Sequence, residues 1–163
     1  MSLGIATFIG LAPQLLFVGG ALTISSIFIP LLLKDYVPDE VKLKQFSDLY
    51  ERGKKTFATC SILSTIAYAV EAYMNRNNEV VFPVALTGAI LSISPVPFTA
   101  LILPLVEALK NFRLTQPGKG NSQEINALLK KWSLLNLGRV LLFSAGFVNT
   151  LYFIGKKALE NST

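Results

Sequence analysis

Trp132, Asn136 and Arg139 follow one another at steps of four and three, so a helix through them carries all three on one side. Arg139 stands inside an apolar stretch, and a charge at such a position is a functional hypothesis by default. Two roles are open for it: a structural arginine that snorkels towards water, or an anchor for an anionic oxygen. It lies about 10 Å past Trp132 along the helix, which makes Glu107 or Glu51 its expected partner. Glu71, roughly 22 Å into a helix that starts from the same side, belongs near the far surface. Other chemistry is bounded by what is missing. The chain has no His and a single cysteine, Cys60, so a disulfide framework, a CxxC dithiol, a Cys/His zinc site and a His-ligated haem are excluded within one chain. No clustered Asp/Glu motif recommends an oxygen-ligated ion.

The elements that must position these residues are long and apolar. Apolar types make up 52% of the 163 residues, only 15% are charged, and the mean hydropathy is +0.51, a chain better matched to hydrocarbon than to water. Four stretches are long enough to cross about 30 Å of hydrocarbon, at 5–33, 56–74, 80–106 and 132–155. The expected architecture is therefore all-α: one integral membrane four-helix bundle over residues 1–163, with a cytoplasmic amphipathic segment between the first two helices. The first stretch is too long for a signal-peptide core and reads as retained. Ser94-Pro95-Val96-Pro97 at the middle of the third predicts a kink or local unwinding. Lys34, Lys42, Lys44, Arg52, Lys54 and Lys55 precede the second stretch, and Lys110, Arg113, Lys119, Lys130 and Lys131 lie between the third and fourth. Arg76, Lys156 and Lys157 stand opposite them, so both longer loops are expected in the cytoplasm and both termini lumenal or external. The short basic segments flank apolar runs and form no DNA-binding face; the expected partner is the bilayer, not nucleic acid.

In the first loop, Pro38-Asp39-Glu40 has the form of a helix start, and Val41, Leu43, Phe46, Leu49 and Tyr50 recur near helical spacing. Either an amphipathic helix lies on the cytoplasmic surface, or the segment lids an opening in the bundle. Gln116 to Ser122 reads as plain loop, with Ser122 capping a lead-in to the fourth helix, and Asn161-Ser162-Thr163 is formally a glycosylation sequon. Four stripes are expected to face protein: Gly19, Thr23, Ser26 and Pro30; Ser61, Thr65, Tyr68 and Ala72; Gly88, Ser92, Pro95 and Thr99; and Trp132, Asn136, Arg139, Phe143, Gly146 and Thr150. Small and hydroxyl residues at this spacing fit close packing alone, or packing around a cavity with a few polar groups.

The run Leu129-Lys130-Lys131-Trp132-Ser133-Leu134-Leu135-Asn136-Leu137-Gly138-Arg139 resembles the tryptophan, then Asn or His four on, then Arg three on, of the anthrone oxygenase-like family of small four-span proteins. Pro97-Phe98-Thr99 with Pro104 and Leu109, Leu49-Tyr50-Glu51-Arg52-Gly53, and Ser25 or Ser26 with Pro30 also resemble that family. After Pro104 stand Leu105-Val106-Glu107, where the family shows a polar Thr-Asn pair. The resemblance implies oxygenation of an anthrone without cofactor or metal: the anthrone becomes an enolate, O2 attacks that carbon, and water leaves to give the quinone. It implies a dry aromatic pocket for a hydrophobic aromatic small molecule, Asn136 and Arg139 as catalytic donors, and Trp132, Thr99, Tyr68 and Ser26 as substrate-binding residues. The location it implies is a multi-pass membrane one, with the endoplasmic reticulum a candidate. A membrane protein that binds lipid or a partner protein without turnover is the alternative, and a transporter the third.

Overall fold

A computed structural model describes residues 5–115 and 122–160, with side chains over 7–112 and 122–155. The loop at 116–121 and the sequon at 161–163 fall outside the described residues. The first span is α1 (Ile5–Thr23), a π-helical turn (Ile24–Phe28) and α2 (Ile29–Leu32) running on as one rod. Pro30 explains the wide turn. The Ile29 N–H reaches back five residues to Ile24 O, and in this register Ser25 O looks to residue 30, a proline with no N–H to give. The hydroxyl of Ser133 on the fourth span donates to that carbonyl instead, at 3.3 Å.

The second span, α3 (Asp39–Met74), starts after Pro38 in extended conformation and carries Asp39 and Glu40 in its first turn, where the helix dipole favours acids. The third is broken at Ser94 into α4 (Val81–Ile93) and α5 (Pro95–Thr115), as the proline pair requires. Asn78 Oδ1 accepts the Val80 and Val81 N–H groups at 3.0 Å and so starts α4. The fourth, α6, runs unbroken from Ser122 to Glu160. All four are long and apolar enough to cross a membrane, and together they form an integral membrane four-helix bundle.

At 36 and 39 residues, α3 and α6 are about 54 and 58 Å long, well beyond the ~30 Å of hydrocarbon. This overturns the separate amphipathic segment: residues 39–55 are the first half of α3 itself. Leu43 and Phe46 are buried there in a cluster with Ile29, Ile102, Leu109 and Leu129. Burying two such side chains is worth about 1.5–3 kcal/mol each, enough to dock the segment instead of leaving it flat on a surface. Polar contacts close the same end: Lys42, 2% exposed, reaches Asp39 Oδ1 at 3.1 Å and Asn126 Oδ1 at 3.0 Å, and Ser122 Oγ donates to Asp39.

Three of the four stripes face protein as expected. The first does not: Gly19, Thr23, Ser26 and Pro30 are all exposed, and the buried face of that rod is Gln14, Phe17, Ala21, Ser25 and Ile29. Thr23 can face lipid because its hydroxyl donates to Gly19 O in its own helix, at 2.8 Å.

Candidate active site

Where the broken third span draws away from α3, the bundle holds a cavity of about 370 Å³, within the usual range for small-molecule pockets. It lies at the junction of the charged end and the apolar spans. Phe17 and Ile24 line it from the first span, and Pro95, Val96 and Thr99 from the start of α5. The wall from α3 runs from Leu49 through Tyr50, Lys54 and Phe57 to Ser61, and α6 supplies Trp132, Asn136 and Arg139. The lining residues exposed to the outside are Lys54, Ala58 and Val96, so the mouth opens between α3 and α5.

Four of the six residues expected at a site are here: Trp132, Asn136, Arg139 and Thr99. Tyr68 is not. It is buried deeper in the bundle, its hydroxyl donating to Gln14 Oε1 at 3.0 Å, with Gln14 Nε2 donating in turn to Ser92 Oγ at 3.0 Å. Thr150 Oγ1, 3.2 Å from the Tyr68 hydroxyl and 3.0 Å from Gly146 O, shares its single proton between them. Ser26 is exposed on the outer side of the π turn, and its neighbour Ser25 takes the inward place.

The polar groups at the cavity differ in what they have left to give. Both protons of Asn136 Nδ2 are spent, one on Ser25 Oγ at 2.8 Å and one on Ala21 O at 3.2 Å, so this amide clamps the π turn to α6 and keeps only its carbonyl oxygen for a ligand. Thr99 donates to Pro95 O in its own helix. In contrast, Trp132 Nε1 and Arg139 Nε are buried and have no acceptor among the described residues. A buried unsatisfied donor costs about 1–3 kcal/mol, and here two occur on residues that line one cavity.

Arg139 also corrects the expected pairing. Glu107 is exposed, Glu51 pairs with Lys54 and Lys110, and no ion pair among the described residues includes Arg139. Its guanidinium instead lies 5.6 Å from the centre of the Phe17 ring, within cation–π range. No carboxylate is among the described lining residues, and with Lys54 paired to Glu51 it is Arg139 that makes the cavity electropositive as well as aromatic.

No sequence signal marks Phe17, but Tyr50 and Gly53 sit in the Leu49-Tyr50-Glu51-Arg52-Gly53 run and α3 brings both to the wall. Residues 46–149 match the family model for anthrone oxygenase. The chain belongs to the anthrone oxygenase family. That match takes in every cavity residue on α3, α5 and α6 and leaves out those on the first span. Among relatives, anthrone oxygenase gedH of Aspergillus terreus is 26% identical over 80% of this chain and 87% of its own length. Anthrone oxygenase AgnL2 of Paecilomyces divaricatus is 31% identical over 76% of this chain and 79% of its own. Anthrone oxygenase tpcL of Aspergillus fumigatus is 29% identical over 77% and 78%. No solved structure matches the chain.

Proposed function

We propose that this family member oxygenates a phenolic anthrone to its quinone without a cofactor, in the cavity at the charged end of the bundle. The observation that carries the reading is the pair of unsatisfied buried donors, Trp132 Nε1 and Arg139 Nε, on residues lining an aromatic, electropositive cavity. Such donors suit an acceptor that carries negative charge, and an anthrone that has lost a proton to solvent presents one: its enolate oxygen. Fixed donors in a site shielded from water stabilise that charge without having to reorganise. The enolate pushes electron density to the ring carbon opposite, which adds O2. One oxygen atom stays on that carbon as the new carbonyl, and the other leaves as water.

The role of each residue follows from its bonds. Arg139 and Trp132 hold the oxyanion, Phe17 and Phe57 supply apolar walls, and Asn136 positions the α6 face against the π turn and offers Oδ1 to a substrate hydroxyl. In this reading the charged end, with its basic residues on α3, α5 and the start of α6, faces the cytoplasm and both termini lie across the membrane, the endoplasmic reticulum being the candidate membrane.

Purified protein in detergent, given an anthrone under 18O2, should form quinone faster than the spontaneous background, incorporate one labelled atom, and keep its rate in a metal chelator. Activity lost to the chelator and restored by iron would refute the cofactor-free mechanism. No turnover with any anthrone, while quinone still quenches the single Trp132, would favour a binding protein.

A further inference from the structure

The proposed reaction leaves one task without a residue: the oxygenated intermediate must gain a proton on its peroxide oxygen and then lose one from the same ring carbon. Among the described residues no carboxylate lines the cavity, and the chain has no imidazole. Its ionisable lining groups are Tyr50, Lys54 and Arg139. Lys54 is tied to Glu51 in an ion pair and Arg139 does not give up its proton, so neither can carry one back and forth.

Tyr50 is different. None of the described residues takes up its hydroxyl in a hydrogen bond, yet its ring is held firmly. It stacks on Phe46 at 6.3 Å between centres, and Phe46 meets Trp132 edge-on at 5.1 Å. Cations surround it. Lys110 Nζ lies 5.5 Å and Lys54 Nζ 6.0 Å from its ring centre, both fixed by the one carboxylate of Glu51, and Arg139 lines the same cavity.

We infer that Tyr50 is a catalytic residue that acts first as acid and then as base on the peroxide intermediate. This rests on the oxygenase reading of the same cavity. The substrate has already lost one proton to solvent as it became the enolate. The enolate carbon bonds O2, giving a peroxide anion; Tyr50 gives its phenolic proton to the terminal oxygen, forming the hydroperoxide and a phenolate. The phenolate then removes the remaining proton from the ring carbon. The C–H electron pair becomes the second bond of the new carbonyl, the O–O bond breaks, and hydroxide leaves. Hydroxide joins the first proton as water, Tyr50 is restored, and O2 has supplied the only oxidising equivalents. The phenolate exists only between the two transfers; Lys54 and Lys110 outweigh by one charge the Glu51 carboxylate that holds them, and with Arg139 they leave a net positive surrounding to stabilise it.

The test is Tyr50→Phe, which removes one oxygen from the wall. Product binding, read by quenching of Trp132, should match the wild type, while quinone formation falls about 10²–10⁴-fold and an organic hydroperoxide accumulates. A merely structural tyrosine would not raise the ratio of hydroperoxide to quinone. Wild-type turnover with a Tyr50→Phe variant that forms quinone at the same rate and no hydroperoxide would overturn the inference alone; a wild type that never turns over would overturn it together with the oxygenase reading. Should Tyr50→Phe fail to assemble, a fluorinated tyrosine at position 50 keeps the hydroxyl but weakens it as a base. Slower breakdown of the hydroperoxide then supports the role, and an unchanged rate overturns it.

Discussion

The Gln14 amide is the only one in the first 33 residues, it is fully buried, and it carries two interhelical bonds, to Ser92 Oγ and from the Tyr68 hydroxyl. Replacing it with Leu removes both. Tyr68 then has only Thr150 Oγ1, 3.2 Å away, left to accept its proton, while Ser92 loses a donor in hydrocarbon. Bonds of this kind between membrane helices average about 0.6 kcal/mol and reach about 1.7, so Gln14→Leu should cost about 1–3 kcal/mol. Tyr68→Phe should cost about 1–2 kcal/mol, because Thr150 keeps Gly146 O as its alternative acceptor. The two changes share one bond, so the double variant should fall short of the sum by about that bond's worth. Reversible unfolding in mixed detergent micelles measures all three, and additivity within about 0.3–0.5 kcal/mol would refute the Gln14–Tyr68 bond. The same variants separate stability from function: Tyr68 does not line the cavity, so Tyr68→Phe should leave KM for an anthrone unchanged. A large rise in KM with stability intact would place Tyr68 at the substrate after all.

Four more outcomes are expected. Single cysteines at Lys44 and Asn77, both exposed, in a Cys60→Ser background should be labelled from opposite sides of the membrane, and labelling of both from one side would refute the orientation drawn from the basic residues. Arg139→Leu should lower kcat about 10²–10³-fold in a protein that still folds, and an unchanged kcat would remove Arg139 from the oxyanion site. Since Arg139 has no ion pair among the described residues and Glu107 is exposed, stability changes for Arg139→Leu and Glu107→Gln should add; coupling beyond about 0.5 kcal/mol in a double-mutant cycle would put them in contact. Gly88→Ala would bring a Cβ to 3.1 Å from Tyr68 Cγ, against a ring also backed by Gly10, so thermal unfolding should show a loss of about 1–3 kcal/mol.

The face of α6 was legible because one helical period runs unbroken from Trp132 to Thr150 and its inward members are bulky or polar. The first span was misread for a physical reason. Small and hydroxyl residues do not by themselves mark the packed side, because a hydroxyl that bonds its own helix, as Thr23 does, is satisfied in lipid. The surer marker was Gln14, whose amide cannot satisfy itself locally and must meet protein. In the segment before the second span the helical period was visible, but its amphipathic stripe fits a membrane surface and a bundle equally. Only long-range partners such as Ile102 and Leu129 decide between them. Asn136 was legible as an inward-facing residue and not in its bonding, because the acceptors that use up its protons, Ala21 O in α1 and Ser25 Oγ on the π turn, are more than a hundred positions away in sequence.

Two irregularities of the backbone open the cavity, and both trace to proline. Pro30 widens the first span at Ile24–Phe28, and Pro95 breaks the third at Ser94; Ile24 and Pro95 both line the cavity beside Trp132 and Asn136. Straight helices at these places would close on one another, as they do around Tyr68, where Gly10 and Gly88 press on the two sides of the ring. The height of the gap also matters. An apolar gas and a flat aromatic both favour hydrocarbon over water, while a phenol or enolate oxygen needs donors. A site whose mouth lies at the charged boundary, with apolar walls and with Arg139 about 10 Å beyond Trp132 along α6, meets both needs in one place. Under the proposed oxygenation, the lack of an ion pair to Arg139 among the described residues also has a reason: a resident carboxylate beside it would satisfy the guanidinium and cancel the field that a substrate oxyanion requires.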